Sequence, residues 1–325
     1  MWPAIWKETK MKELRFDGQV AIVTGGGRGL GSLYAMELAR RGASVLVNDL
    51  GGSSRGDGSD ASVAEQVVAQ IEAEGGIAAG SRDSVATPEG GQAIVDAALE
   101  KFGRVDIVIN NAGIINFTPF DQVTADEWRK TLNVHLDGSF HVSQPAFRQM
   151  KEQGYGRFVF ISSTFGAFGQ IGTSSYATAK AGLLGLSNVV ALEGAAHGIR
   201  SNAVLPVGFS RMVTDQESGN PVPPGRQAFY DAIRPELITP LVIYLASRDC
   251  TLSHRAIAAC AGRYSRVFAG YGDGWLSEAG STPSAEDVAA HLAQIVGTDG
   301  FFVPETSVDE TIAVCRQRGI DLSQM

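Results

Sequence analysis

Short apolar runs and longer amphipathic stretches take turns along most of this chain. QVAIVT (19–24), SVLVND (44–49), VDIVIN (105–110) and RFVFIS (157–162) are rich in β-branched and aromatic side chains and show little polar alternation. Such runs read as strands covered on both faces, as in a parallel sheet. GIAAGSRD (76–83), RSNAVLP (200–206) and AIAACAG (256–262) are weaker strands of the same kind. Between them lie stretches with apolar residues at helical spacing: SLYAMELARRG (32–42), ASVAEQVVAQIEAEGG (61–76), 87–103, 124–153, 174–197 and PELITPLVIYLAS (235–247). Strand alternating with helix predicts an α/β fold, a Rossmann-type doubly wound parallel sheet of about seven strands with helices on both faces.

The pattern also divides the chain. Residues 1–18 read as an N-terminal extension carrying Trp2 and Trp6, 19–262 as the α/β domain, and 263–325 as a C-terminal extension packing on the domain or on a neighbouring subunit. Residues 207–227 lack periodicity and contain Pro and Gly, which suits a lid. In the C-terminal part, SAEDVAAHLAQI carries Ser284 three residues before Asp287, a helix-start signal.

In a doubly wound sheet ligands bind just past the carboxyl ends of strands, and candidate chemistry falls there. The first strand runs into GGGRGLG, with Gly25, Gly29 and Gly31 spaced GxxxGxG. Missing side chains let the backbone approach a pyrophosphate at the positive end of the following helix. Asp49 ends the second strand, eighteen residues after Gly31. A carboxylate there accepts hydrogen bonds from adenosine ribose hydroxyls and repels a 2′-phosphate, which argues for NAD. Arg28, inside the turn, is a counter-signal, because a guanidinium there can meet a 2′-phosphate. Asp83 ends the third strand, where it can face the adenine edge. Residues 51–60, GGSSRGDGSD, form a polar, glycine-rich, flexible loop.

A second constellation follows the fifth strand. Ser163 stands at its end, and Tyr176 and Lys180 are four residues apart on the next helix, so they share one face. A nearby ammonium favours the phenolate and lowers a tyrosine pKa. A phenol tuned in that way can take a proton from an alcohol or return one to a ketone oxygen, and the serine can hold the same oxygen.

Composition narrows the field. Over 325 residues the chain is 44% hydrophobic with a net charge of −8, so a sizeable core is available and no nucleic-acid surface is indicated. Cys250, Cys260 and Cys315 show neither metal nor disulfide spacing and fit a reducing, cytoplasmic compartment; no metal site is expected. No signal peptide and no membrane span is indicated.

TGGGRGLG, NNAG (110–113), Ser163 and YATAK (176–180), in this order, resemble the short-chain dehydrogenase/reductase family over roughly residues 16–260. Within it, VNDLGG with its glycine-rich insertion, FGRVDIVINNAGI, VHLDGSF, LPV…SRM, RPELITPLVIYL, GRYSRVF and Trp275 look like the (3R)-hydroxyacyl-CoA dehydrogenase branch of peroxisomal multifunctional enzymes, also known as 17β-hydroxysteroid dehydrogenases of type four. The resemblance implies an NAD-dependent oxidoreductase with Ser163, Tyr176 and Lys180 as catalytic residues. It implies a cofactor set of Gly25, Arg28, Gly29, Leu30, Gly31, Asp49, Asp83, Ser84, Val85, Asn111, Ala112, Gly113, Tyr176, Lys180, Pro206, Val207 and Gly208. It also implies a homodimer or homotetramer acting on a small lipid-like molecule.

Two departures from the family pattern stand out. The position aligned with a catalytic asparagine holds His135, with Asn133 two residues earlier, and the usual Pro-Gly after the sixth strand is Pro206-Val207-Gly208. Phe117, Phe120, Phe165, Phe168 and Phe209 fall on loops expected at the pocket mouth, and aromatic walls suit a steroid or an acyl chain. The first expectation for substrate is a 17β-hydroxysteroid oxidised to the 17-ketosteroid. The alternative is a (3R)-hydroxyacyl-CoA, for whose phosphates Arg248, Arg255, Arg263 and Arg266 are the candidate partners. A non-catalytic NAD-binding module is the reading of another class, and it expects a damaged Ser/Tyr/Lys set.

Overall fold

Alternate residues of the central strands belong to two separate cores, and this regularity sets the layers. The computed structural model describes residues 13–208 and 224–320. All five residues of β1 (Val20–Thr24) are buried. Ala21 and Val23 join one cluster with Phe16, Tyr34 and Leu38, whereas Val20 and Ile22 join another with Ile94 and Phe158. β4 (Ile107–Asn110) sends Ile107 and Ile109 to the first cluster and Val108 to the second, and β5 (Gly156–Ile161) divides in the same way. Side chains alternate across a strand, so a strand apolar at every position needs cover on both faces.

β2 (Ser44–Asn48), β3 (Ile77–Ser81), β6 (Ile199–Val207), β7 (Arg255–Cys260) and β8 (Arg263–Val267) complete an eight-stranded sheet in the order β3-β2-β1-β4-β5-β6-β7-β8. Every pair from β3 to β7 is parallel, with Val20 opposite Ser44 and Ile107 opposite Arg157. Chain order reverses between β1 and β4, which opens a crevice at their carboxyl ends. The eighth strand lies at the start of the stretch that by sequence reads as a C-terminal extension.

The helices follow their end signals where the sequence supplies them. α1 (Gly29–Arg40) and α2 (Ser62–Ala73) cross between strands, and α3 (Pro88–Phe102) starts at Thr87, whose side chain accepts from Gly90 N, and stops at left-handed Gly103. The stretch 124–153 is not one helix. α4 (Ala125–Leu132) passes through a π-helical turn, Asn133–Asp137, into α5 (Gly138–Gln153). An apolar period cannot report one inserted residue, and such bulges recur at functional sites. After β5 comes a five-residue helix, α6 (Thr164–Phe168), and then α7 (Ser174–Gly194).

The chain divides into two compact units, one up to Arg266 and one from Val267. In the second, Tyr271–Gly272 pairs antiparallel with Phe301–Phe302, and Trp275 stacks on His291 at 4.1 Å between ring centroids. Ser284 and Asp287 form a reciprocal capping box at helix Ala285–Ala290, as the spacing predicts. Helix Pro224–Ala232 occupies the end of the aperiodic segment. Trp2, Trp6, Phe209 and most of the expected lid lie outside the described residues. Among the described residues no helix is long and apolar enough to cross a membrane.

Candidate active site

The crevice begins with a backbone that has no room for side chains. Gly25 has φ +60°, and a Cβ on it would lie 2.8 Å from Ala112 Cα; a Cβ on Gly31 would lie 2.0 Å from the Gly25 carbonyl oxygen. No side chain caps α1 and no acidic residue sits in its first turn, so that end suits a phosphate. Across the crevice, Asn111 Nδ2 donates to the carbonyls of Thr24 and Gly25, both at 3.0 Å, and Thr24 Oγ1 accepts from the amides of Asn111 and Ala112 at 3.0 and 3.1 Å. These bonds lock the end of β4 to the glycine turn.

Asp49 spans the outer side. Its Oδ2 accepts from Gly27 N at 2.9 Å and its Oδ1 from Gly51 N at 2.7 Å. Asn48 Nδ2 donates to Ser81 Oγ at 3.1 Å and to the Asp83 carbonyl at 2.9 Å, so the ends of β2 and β3 are tied together. The resulting cleft is lined by Gly25, Arg28, Gly29, Leu30, Asp49, Asp83, Ser84, Val85, Asn111, Ala112 and Gly113, all marked in the sequence. Asn48, Leu50, Gly52, Ser53, Ser54, Gly56, Ile114 and Val134 line it too and escape the sequence reading. Only loop composition marked the glycines and serines among them, and composition does not say where a loop folds back. Gly31 lies behind the turn. Pro206 and Val207 end β6 opposite Ala259 and Cys260, and with Gly208 they do not line this cleft.

The second group gathers beside α7. Ser163 caps α6, its Oγ accepting from Phe165 N at 3.1 Å, and its hydroxyl acts on the Tyr176 phenol as a lowering influence on its pKa. Lys180 Nζ donates to the Ile161 carbonyl at 2.6 Å and lies 5.5 Å from the Tyr176 ring centroid. Tyr176 and Lys180 are both buried. Burial pushes the Tyr176 phenol up to about 12, the Ser163 hydroxyl opposing it, and lowers Lys180 to about 7. This corrects the expectation that Lys180 lowers the tyrosine within the chain itself. Loss of water dominates both groups, and the amine is committed to a backbone carbonyl rather than to the phenol.

His135 belongs to the same cluster. It sits in the π-turn, and its Nε2 lies 2.6 Å from the Ile114 carbonyl oxygen. Its ring meets the Tyr176 ring edge-on at 5.1 Å, and its buried Nδ1 has no protein partner. Burial and the charge of Lys180 hold it well below the usual histidine range, so it is neutral. A Cβ on Gly113 would lie 2.4 Å from His135 Cε1, so the NNAG corner is built around this imidazole.

Of the aromatic residues, Phe165 packs its ring on Tyr176 at 6.2 Å. Phe117, Phe120 and Phe168 are exposed, by 43%, 82% and 75%, and Ile171 by 90%, a concentration of apolar surface on the loops after β4 and β5. Of the candidate arginines, Arg248 stacks over Tyr155, just ahead of β5 and at the opposite end of that strand from Ser163, Arg255 opens β7, and Arg263 opens β8 just past the carboxyl end of β7.

Crevice, glycine turn and buried Ser/Tyr/Lys cluster together define a dinucleotide-dependent oxidoreductase of the α/β class. A family model described as short chain dehydrogenase matches residues 19–220, and the chain belongs to that family. It is 40% identical over 282 residues to a short-chain type dehydrogenase/reductase of Mycobacterium tuberculosis, covering 87% of this chain and 95% of the relative. It is 44% identical over 237 residues to the peroxisomal multifunctional enzyme type 2 of Mus musculus, covering 73% of this chain but 31% of that enzyme. Among solved structures, the full-length peroxisomal multifunctional enzyme type 2 of Drosophila melanogaster superposes with a TM-score of 0.77 at 29% identity, over 94% of this chain and 50% of that one. The cofactor of such an enzyme is a nicotinamide dinucleotide, and the cradle at Gly25 and Gly31 with the uncapped α1 fits its pyrophosphate.

Proposed function

We propose that the chain oxidises a secondary alcohol to a ketone on a bulky, lipid-like substrate with NAD as acceptor, a 17β-hydroxysteroid first among candidates. The observation that carries this reading is the burial of Ser163, Tyr176 and Lys180, with the Lys180 amine 5.5 Å from the Tyr176 ring, and the exposed Phe117, Phe120 and Phe168 on the loops after β4 and β5. Tyr176 takes the proton from the substrate hydroxyl, Ser163 holds that oxygen, and Lys180 holds the ribose hydroxyls. When bound, the oxidised nicotinamide supplies the hydride acceptor and a positive charge that favours the phenolate. His135 fixes the NNAG corner and the ring of Tyr176 from one side.

NAD is favoured by Asp49 at the β2 end, whose carboxylate faces the cleft. A (3R)-hydroxyacyl-CoA is the second reading, supported by the likeness to the multifunctional enzymes. The exposed aromatic surface of Phe117, Phe120 and Phe168 favours the uncharged steroid. The free thiols Cys250, Cys260 and Cys315 suit a reducing, cytoplasmic setting. Rates on a 17β-hydroxysteroid and on a (3R)-hydroxyacyl-CoA, each with NAD and with NADP, test the proposal. The steroid with NAD is expected to be fastest; faster turnover of the thioester would transfer the assignment to the second reading, and no turnover of either would reject both.

A further inference from the structure

Residues 51–60 form a strap over the nucleotide cleft, fastened at three places. At its base, Asp60 N donates to the Leu50 carbonyl at 3.1 Å, and Gly51, with φ +79°, is the residue where the two ends meet; a Cβ there would lie 2.1 Å from the Asp60 carbonyl oxygen. On the far wall, Ile115 N donates to the Ser54 carbonyl at 3.0 Å, and Lys130 Nζ bonds Asp57 Oδ1 at 2.5 Å. On the near wall the strap takes hold of Arg28. Its Nη1 donates to the Gly52 carbonyl at 3.4 Å, and its Nη2 lies 3.9 Å from Asp60 Oδ2.

The two oxygens of Asp60 divide their work. Ser62 donates to Oδ1 through its hydroxyl at 2.7 Å and its amide at 2.9 Å, which leaves Oδ2 for Arg28. Arg28 is the cation within the glycine turn, one residue from Gly27, whose amide bonds Asp49. A guanidinium in that place is what a phosphate on the adenosine ribose would seek, because the planar fork matches phosphate geometry. Both oxygens of Asp49 already accept backbone amides, so that carboxylate is partly compensated and does not oppose a phosphate alone.

We propose that Asp60 is a specificity-determining residue: by holding Arg28 against the strap it denies a 2′-phosphate its cationic partner. This rests on the NAD reading above and extends it to a residue outside the Asp49 position. The strap tethers, Asp57 to Lys130 and Ser54 to Ile115, keep Asp60 in register with Arg28.

The test is a fluorescence titration of NADH and of NADPH into the full chain, comparing the unmodified protein with Asp60→Asn, Arg28→Ala and the double variant. The Arg28–Asp60 pair is half exposed, so Asp60→Asn is expected to shift the ratio of dissociation constants about fivefold toward NADPH. In the Arg28→Ala background the same substitution is expected to shift it by less than about twofold. An unchanged ratio in Asp60→Asn overturns the proposal, as does an equal shift with and without Arg28. The unmodified protein tests the underlying reading separately: tighter binding of NADPH than of NADH there would sink the NAD assignment, whatever the variants do.

Discussion

The nucleotide half and the substrate half of this crevice are built on different physics. On the nucleotide side, between β1, β2 and β4, position is set by backbone: glycines without room for a Cβ, and the Asn111, Thr24 and Asp49 hydrogen bonds. On the substrate side, beyond β4 and β5, the buried cluster of Ser163, Tyr176, Lys180 and His135 is fixed, but the wall around it is exposed aromatic side chain on loops. The first half has one shape that any dinucleotide must fit. The second presents apolar area on loops rather than a closed backbone cradle. Substitutions on the two sides should therefore separate into those that change cofactor affinity and those that change turnover or substrate KM.

Outside Tyr176 itself, the largest effect is expected from Lys180→Met. With the amine gone, turnover should fall by about 100-fold or more, the scale of general acid–base assistance, while NADH affinity falls far less. A steady-state assay beside an NADH titration checks this. Gly31→Val attacks the other half. Its Cβ meets the Gly25 carbonyl, and overpacking of this kind costs about 1–3 kcal/mol, so NADH affinity should drop by about 10- to 100-fold. A thermal melt on the same protein separates this from global unfolding. Phe168→Ala should raise KM for the lipid-like substrate by about fivefold, the worth of part of one aromatic face, with the NADH dissociation constant unmoved.

A further effect is in stability against pH. Lys180 falls to about 7 in the folded chain against about 10.4 when unfolded. Below pH 7 both states carry the proton, and the cost of burying the ammonium is present in full. From pH 7 upward the unfolded chain binds more protons than the folded one, so stability rises with pH until the unfolded lysine also titrates. Tyr176, raised to about 12, opposes this only above about pH 10, where the unfolded phenol starts to lose its proton. The melting temperature of the unmodified protein should therefore gain on that of Lys180→Met between about pH 7 and pH 9.5; a flat difference would contradict the burial argument.

The same contrast explains what the sequence disclosed. β1, β2, β4 and β5 are apolar on both faces, and the turn between β1 and α1 needs several glycines, so strand, turn and switch point were legible from residue type. Asn111 and Asp49 follow from their places at strand ends. The π-turn at 133–137 was not legible, because an apolar period does not register one inserted residue. Nor was α6: its five residues, TFGAF, are too few to show a period, and only Ser163 marks its start. The strap read as a flexible loop because its polar composition hides the bonds to Ile115 and Lys130. The tyrosine pKa went the wrong way because charge was weighed without burial, and burial depends on neighbours distant in sequence.

Tyr176→Phe is the most direct test, read as turnover and NADH dissociation constant in one preparation. The phenolic oxygen is the only atom removed, so the account predicts turnover lost by at least about 1000-fold with cofactor affinity within about twofold of the unmodified chain. A variant that still oxidises its alcohol at a comparable rate would contradict the assignment of proton transfer to this residue.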